Sequence, residues 1–248
     1  MEKLVINGNI NENEIKKAFA NTDVRLYFNI TPKNAAEINA YDAVFFINST
    51  EDEIAKWVGA NHLRITTNES DLLAEIKFFL GIPEKVEIER KFLIEYPDLQ
   101  KLSSEKLCKA AEIEQCYLTD PYPFRVRKRG IDKDFIYIKT EKRKLSDLVR
   151  IEIENLISKE EYDATVKGNK ILQKTRYLYV YENQYFEIDV FPFCKDKALL
   201  EIELRTENQP FTLPPFINVI KDVTTDNYYK NKQIAARHAL FCTNRSKP

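Results

Sequence analysis

From Lys85 onward the chain alternates charge with hydrocarbon at a period of two residues, and this restricts the fold more than any other feature. The segment VEIERKFLI (Val86 to Ile94) sets the pattern: Glu87, Glu89 and Lys91 share one face, and Val86 and Ile88 begin the other. A period of two belongs to a β-strand, whose successive side chains point to opposite faces of a sheet. For one strand, the simplest account is a solvated face carrying cross-strand ion pairs.

The pattern recurs along most of the remaining chain. It predicts eight strands near 85–94, 111–119, 123–129, 134–140, 149–154, 173–181, 184–191 and 198–205. FRVRKRG supplies Arg125 and Arg127, FIYIKT supplies Lys139, and RIEIE supplies Arg150, Glu152 and Glu154. QKTRYLYV adds Lys174 and Arg176, YFEIDVF adds Glu187 and Asp189, and LLEIELR adds Glu201 and Glu203. The positions between them are mostly Ile, Val and Leu. So many antiparallel strands in one sheet create an edge problem, which closure into a barrel removes.

Two geometries satisfy this alternation. An open sheet would turn its charged face to water, whereas a closed barrel could line its interior with those charges. An ordinary solvent face would mix in Ser, Thr, Asn and Gln, but here Glu, Asp, Arg and Lys dominate and are segregated by strand. Desolvating each ion costs several kcal/mol, so a charged interior needs a ligand or internal partners. A polyphosphate with a divalent cation would serve, with Arg and Lys on phosphate oxygens and carboxylates on the cation. The residues alone leave both geometries open.

Residues 1–83 follow a different rule. Apolar runs at Lys3–Asn7, Val24–Ile30, Asp42–Asn48 and His62–Thr66 alternate with helix-like segments, which predicts a small parallel α/β layer. A phosphate loop in its first turn would need Gly-x-x-x-x-Gly-Lys-Ser/Thr. The turn reads NGNINENEIKK, with one glycine and with Glu12 and Glu14 where an anion would sit, so the layer is expected to be structural or to dock. Further helices are predicted at Ser158–Gly168, where Ser158 and Glu161 form a capping box, and at Tyr228–Phe241.

The 248 residues allow one large domain or two modest ones, and the 44% apolar fraction supports a core. A net charge of -1 gives no global field for nucleic acid or an anionic membrane. Two histidines make a His-based metal cluster or nucleophile dyad a poor fit, and favour magnesium or manganese over zinc. Cys108, Cys116, Cys194 and Cys242 form no Cys-x-x-Cys and read as buried free thiols. No signal core or membrane-length apolar run occurs, so a cytoplasmic protein is expected.

Taken in order, these motifs resemble those of the CYTH superfamily, the triphosphate tunnel metalloenzymes. EIERKFLI is similar to its Glu-x-Glu-x-Lys strand, FRVRKRG to its Arg-x-Arg strand and KTRY to its Lys-x-Arg strand. YFEIDVF and LLEIEL resemble its last two acidic strands, and DVTTDNYYKNKQIA its closing segment. The resemblance spans about Glu84 to Ala236. It is nearest to the CYTH half of two-domain proteins that carry an AAA or P-loop kinase-like domain in front, which would make residues 1–83 a shortened relic of that domain.

The resemblance implies an α+β protein in which an eight-stranded antiparallel β-barrel with flanking helices, residues 84–248, follows a small parallel α/β domain, residues 1–83. It implies that Lys91, Arg125, Arg127, Lys139, Arg150, Lys174 and Arg176 bind phosphate oxygens. Glu87, Glu89, Glu201 and Glu203 would hold Mg2+ or Mn2+, with Glu152, Glu154, Glu187 and Asp189 as further ligands or organisers. Lys91, Glu87 and Glu89 are the catalytic candidates, with water deprotonated by a carboxylate or with help from a Lys91 of lowered pKa. The implied activity is a metal-dependent triphosphatase acting on inorganic triphosphate or a nucleoside triphosphate. The alternatives are a class IV-type adenylate cyclase and a non-catalytic polyphosphate- or nucleotide-binding module. Neither nucleic acid nor membrane is an expected partner, and a homodimer is an admissible assembly.

Overall fold

The computed structural model describes residues 1–82, 87–144 and 149–241, with side chains described for all of these except 87, 142–144, 149–152 and 238–241. The front of the chain alternates strands with helices: β1 (Glu2–Gly8), α1 (Glu12–Ala18), β2 (Val24–Phe28), α2 (Ala35–Asn39), β3 (Ala43–Ile47), α3 (Glu51–Ala55), β4 (Leu63–Thr66) and α4 (Glu69–Phe79). The strands form a parallel sheet in the order β2-β1-β3-β4. Each helix start is specified locally. Asn11, Asn34, Thr50 and Asn68 cap the four helices in turn, and Thr50 with Glu53 forms a full capping box. β3, AVFFI, is buried along its whole length, as suits a central strand covered on both faces.

The rest of the chain builds an antiparallel sheet from β5 (Glu87–Glu95), β6 (Cys108–Leu118), β7 (Phe124–Ile131), β8 (Asp134–Lys144), β9 (Val149–Leu156), β10 (Ile171–Tyr181), β11 (Gln184–Val190) and β12 (Lys197–Leu204). Its order is β12-β11-β10-β6-β7-β8-β9-β5, and pairing of β12 with β5 closes it, so among the described residues eight strands form a barrel. The seam is uneven. β5 pairs with β12 over Ile88–Glu95, but with β9 only at Glu87 and Ile88. Four elements lie around the barrel: α5 (Leu99–Ser104), α6 (Lys159–Val166), a 3-10 turn at Asn227–Tyr229 and α7 (Asn231–Phe241). α6 begins at its Ser158 cap, which accepts from the Glu161 amide.

A ninth strand, β13 (Val219–Asp222), adds to β5 and was not expected from the sequence. It ends in the Asp222-Val223-Thr224 segment. There the Val223 amide donates to the Lys91 carbonyl at 2.9 Å and the Thr224 hydroxyl oxygen accepts from the Lys91 amide at 3.0 Å. The closing motif therefore clamps the backbone of Lys91. Asp222 supports this turn by accepting from the Thr224 amide and hydroxyl, and it pairs with Arg90 on the outer face.

The front layer and the barrel share hydrocarbon. Trp57 and Val58 of the front layer pack in one cluster with Ala111, Ile131, Leu178, Val180 and Tyr185 of the barrel. The approach is closest at Gly59, whose φ of +114° suits glycine and where an added Cβ would stand 2.6 Å from Ile131 Cδ1. The Tyr185 hydroxyl accepts from the Gly59 amide at 3.2 Å and donates to the Ala60 carbonyl at 2.9 Å. Cys108 and Cys116 are free. Cys194 is disulfide-bonded, which corrects the expectation of free thiols throughout; Cys242 lies outside the described residues. Among the described residues no helix is long and apolar enough to cross a membrane.

Candidate functional site

The register decides which alternating face points inward. Glu201 stands opposite Lys91, and Glu203 opposite Glu89, on β12 and β5. Asp189 pairs with Arg176, and Glu187 with Glu201, on the neighbouring strands. These side chains meet inside the barrel. Lys91 Nζ lies 2.8 Å from Glu201 Oε1 and 3.0 Å from Glu89 Oε1. Arg176 grips Asp189 through Nε and Nη2, both at 2.7 Å, reaches Glu201 Oε2 at 2.8 Å and also pairs with Glu187. Lys174 pairs with Asp189, which is fully buried.

On the opposite wall, β7 and β9 build a second cluster. Glu154 Oε1 accepts from Arg127 at 3.0 Å, from Arg125 at 3.3 Å and from the Thr140 hydroxyl at 2.9 Å. Glu154 thus sits where an anion would sit, against the two arginines, and not among the acids expected to hold a cation.

Among the described residues the charged inward positions give way to hydrocarbon beyond Lys91, Lys174, Asp189 and Glu201. Along the same inward rows, Leu93, Leu172, Phe191 and Leu199 follow Lys91, Lys174, Asp189 and Glu201, and they form an apolar floor with Val223 and Ile234. At the other end the inward rows pass into the cluster shared with the front layer. Between these lies a cavity of roughly 470 Å³, lined by Glu89, Lys91, Arg125, Arg127, Arg176 and Glu201 among others.

The sequence-derived candidates divide accordingly. Lys91, Glu89, Arg125, Arg127, Lys174, Arg176, Glu187, Asp189, Glu201, Glu203 and Glu154 converge on the interior. The side chains of Glu87, Arg150 and Glu152 lie outside the described set; Glu87 and Arg150 are backbone partners.

Lys139 is a correction. It pairs with Val126 across β7–β8, on the face away from Arg125 and Arg127. Its ammonium donates to the Tyr122 hydroxyl at 3.0 Å and lies 4.9 Å from the Phe124 ring centroid. One position of parity separates it from the interior, where Ile138 and Thr140 point instead.

Several interior residues were missed. Arg129 continues the Arg125–Arg127 row, so parity alone identifies it; it is buried and donates to the Gly59 carbonyl at 2.5 Å. Arg64, His62 and Asn61 come from the front layer, and no pattern in the strands could have pointed to them. Arg64 Nη2 lies 2.5 Å from Glu203 Oε2, His62 Nδ1 is 3.7 Å from the same oxygen, and Asn61 donates to Glu154 Oε2 at 3.4 Å.

This packing shifts several titrations. Burial works against the Lys91 ammonium, but Glu201 and Glu89 outweigh it and hold its pKa well above the ordinary lysine value. The expectation of a lowered Lys91 pKa is therefore corrected. Lys174 is the lysine pushed down, to about 8, by burial and then by Arg176. Burial also presses the Glu154, Glu201 and Glu203 carboxyls upward, yet Arg127 with Arg125, Lys91 with Arg176, and Arg64 respectively hold them far below the usual range. Glu187 is raised, by burial and by Glu201 and Asp189 against the pull of Arg176.

An acid-stability prediction follows from the lowered carboxyls. Unfolded Glu and Asp titrate near about 4.3 and 3.9. Below those values the unfolded chain binds protons that folded Glu154, Glu201, Glu203 and Asp189 refuse. The stabilisation is complete above about pH 5 and is lost as the pH falls through 4 and below. Raised Glu187 and Glu75 act in the opposite sense as the pH rises above their unfolded values. The melting temperature followed by circular dichroism should fall steadily between about pH 5 and pH 3; a constant value across that interval would contradict this account.

Among the described residues no group of three His, Cys, Asp or Glu side chains stands ready to hold a metal ion. The donor chemistry nevertheless fits Mg2+ or Mn2+. Glu89 and Glu203 are cross-strand partners with Glu201 beside them, all hard oxygen donors, and Lys91 and Arg64 now take up their oxygens.

No protein-family model matches the chain, and no curated protein matches it. Solved structures do. The hypothetical protein NE1496 is 32% identical, in an alignment covering 60% of this chain and 97% of that one, with a TM-score of 0.39. A second structure of it, described as the inorganic triphosphatase NE1496, gives 30% identity, 60% and 93% coverage and a TM-score of 0.38. The PH1012 protein of Pyrococcus horikoshii OT3 is 24% identical, with 49% and 80% coverage and a TM-score of 0.37. At these TM-scores the superpositions decide nothing.

Proposed function

We propose that this chain, which belongs to the CYTH superfamily, is a triphosphatase that cleaves a phosphoanhydride bond of inorganic triphosphate or of a nucleoside triphosphate. The observation that carries the reading is the two-sided interior. Arg125 and Arg127 stand on one wall, and the acids Glu89, Glu201 and Glu203 stand with Lys91 on the other, around one cavity. The description of NE1496 as an inorganic triphosphatase supports the same reading.

In this reading the arginines act first. Phosphate oxygens replace the Glu154 carboxylate on Arg125 and Arg127, exchanging one anion for another without stranding either guanidinium. Lys91 and Arg176 contact the same chain from the facing wall. A divalent cation held by Glu89, Glu201 and Glu203 would polarise a phosphoryl oxygen and acidify a bound water. Lys91 supplies charge to the phosphate chain, and the proton of the attacking water passes to a carboxylate. Glu89 suits this task, being bound by Lys91 and still partly open to the cavity. One P–O bond forms to the water oxygen, the bridging P–O bond breaks, and phosphate and pyrophosphate leave when the substrate is inorganic triphosphate.

The test is a product panel. Purified protein is given inorganic triphosphate, ATP, GTP or thiamine triphosphate with Mg2+ or Mn2+, and phosphate, pyrophosphate and cyclic nucleotide are measured. Phosphate release that requires the cation is expected. Cyclic AMP as the main product would replace this reading with a cyclase, and tight binding without turnover would replace it with a binding module.

A further inference from the structure

The front layer does more than pack against the barrel. Where the β4 edge meets the barrel rim, it sends three side chains toward inward carboxylates on two different strands: Asn61 to Glu154 on β9, and His62 and Arg64 to Glu203 on β12. All three line the cavity. The backbone just before them is fastened to the rim, with Tyr185 bonded at Gly59 and Ala60 and Arg129 bonded at Gly59. This end of the barrel is therefore walled, and the wall presents polar donors to Glu154 and Glu203 beside the rings of Phe45, Phe78 and Phe79.

The opposite end is closed by the apolar floor beneath Lys91 and Lys174. Between wall and floor, β12 contributes two charged inward positions, Glu203 and Glu201, and β10 contributes Arg176 and Lys174. On each of these two strands the described charged positions span about 7 Å. The cavity also reaches Phe124 and Leu156, the latter 68% exposed, which gives it a way out at the side. Entry from that side would bring the leading end of a phosphate chain to the front layer.

We propose that the front layer supplies the terminal-phosphate subsite, with Arg64 and Asn61 as specificity-determining residues for chains whose end is a free, unesterified phosphoryl group. The proposal rests on the triphosphatase reading. A terminal phosphoryl carries more charge and one more open oxygen than an esterified one, and a guanidinium beside an amide donor reads that difference. Arg64 keeps donor capacity for this role, since the partners it holds are Glu203, Glu75 and its neighbouring Leu63 carbonyl. A group esterified to the leading phosphate would have to pass Asn61, His62 and Arg64, which line the cavity there.

The experiment compares two ligands by calorimetry on the full chain: tripolyphosphate, which has free ends, and P1,P3-di(adenosine-5′) triphosphate, whose ends are both esterified. Wild-type protein should bind tripolyphosphate at least about tenfold more tightly. Arg64→Ala should weaken tripolyphosphate by about tenfold or more and leave the capped ligand nearly unchanged, with Arg64→Lys partly restoring the preference. Asn61→Ala, which removes no charge, should shift the same ratio in the same direction and guards against an Arg64→Ala protein that does not fold. An unchanged ratio in folded variants, or equal weakening of both ligands, overturns the proposal. Tripolyphosphate binding with the expected ratio but no turnover would remove the triphosphatase reading and leave the subsite standing; no binding of either ligand would remove both.

Discussion

Arg176→Ala should be the most destabilising single substitution in the barrel interior, lowering stability by about 3–5 kcal/mol. Its guanidinium touches carboxylates from three positions, Asp189, Glu187 and Glu201, of which Asp189 and Glu201 are buried and Glu187 is partly open to the cavity. Removing it leaves Asp189 to Lys174 alone, and the like charges of Glu187 and Glu201 then face each other across β11 and β12. A chain of this size loses roughly 2–4 °C of melting temperature per kcal/mol, so a drop of about 10 °C or more is expected in a thermal melt. Replacing Asp189 with Leu in the same protein should recover part of the loss, because the penalty comes from the stranded charge and not from the missing contact. A melting temperature within about 2 °C of the wild type would show that the network contributes little to the fold.

Arg127→Ala should have the largest effect on function. Arg127 lies in the cavity against Glu154, on the wall facing Glu89, Glu201 and Glu203. Losing a desolvated cation that contacts phosphate costs about 2–5 kcal/mol, which is roughly 30-fold to several thousandfold in kcat/KM for triphosphate. The fold should survive, since Glu154 keeps Arg125 and Thr140 as partners. Lys139→Ala is the matched control: it removes a cation one strand away that faces outward onto Tyr122 and Phe124, and activity should stay within about twofold. Loss of activity in Lys139→Ala, or its retention in Arg127→Ala, would mean that the interior has been assigned to the wrong face.

The contrast between Lys139 and Arg129 shows how the site was legible and where it was not. Both lie near inward arginines in the sheet. Arg129 shares the parity of Arg125 and Arg127 and points in, whereas Lys139 belongs to the next strand, where the inward row holds Ile138 and Thr140. Register between strands set that phase, and register is fixed by long-range pairing that no single strand carries. Which groups Glu154 faces was hidden for a related reason. Its acidity was readable, but its placement against Arg125, Arg127 and Thr140 depends on how β9 pairs with β8.

The order of the strands, their alternation and the separation of acids from bases were written in the chain, because a period of two is a local property that each strand carries for itself. So was the change of rule near residue 83, from strand–helix alternation to strands in succession. Only the tertiary structure decided that the inward rows turn to hydrocarbon at Leu93, Leu172, Phe191 and Leu199, and that the front layer brings Asn61 and Arg64 to the opposite end. Those features arise where segments far apart in sequence come into contact, and the cost of burying charge then selects which partner each ion finds.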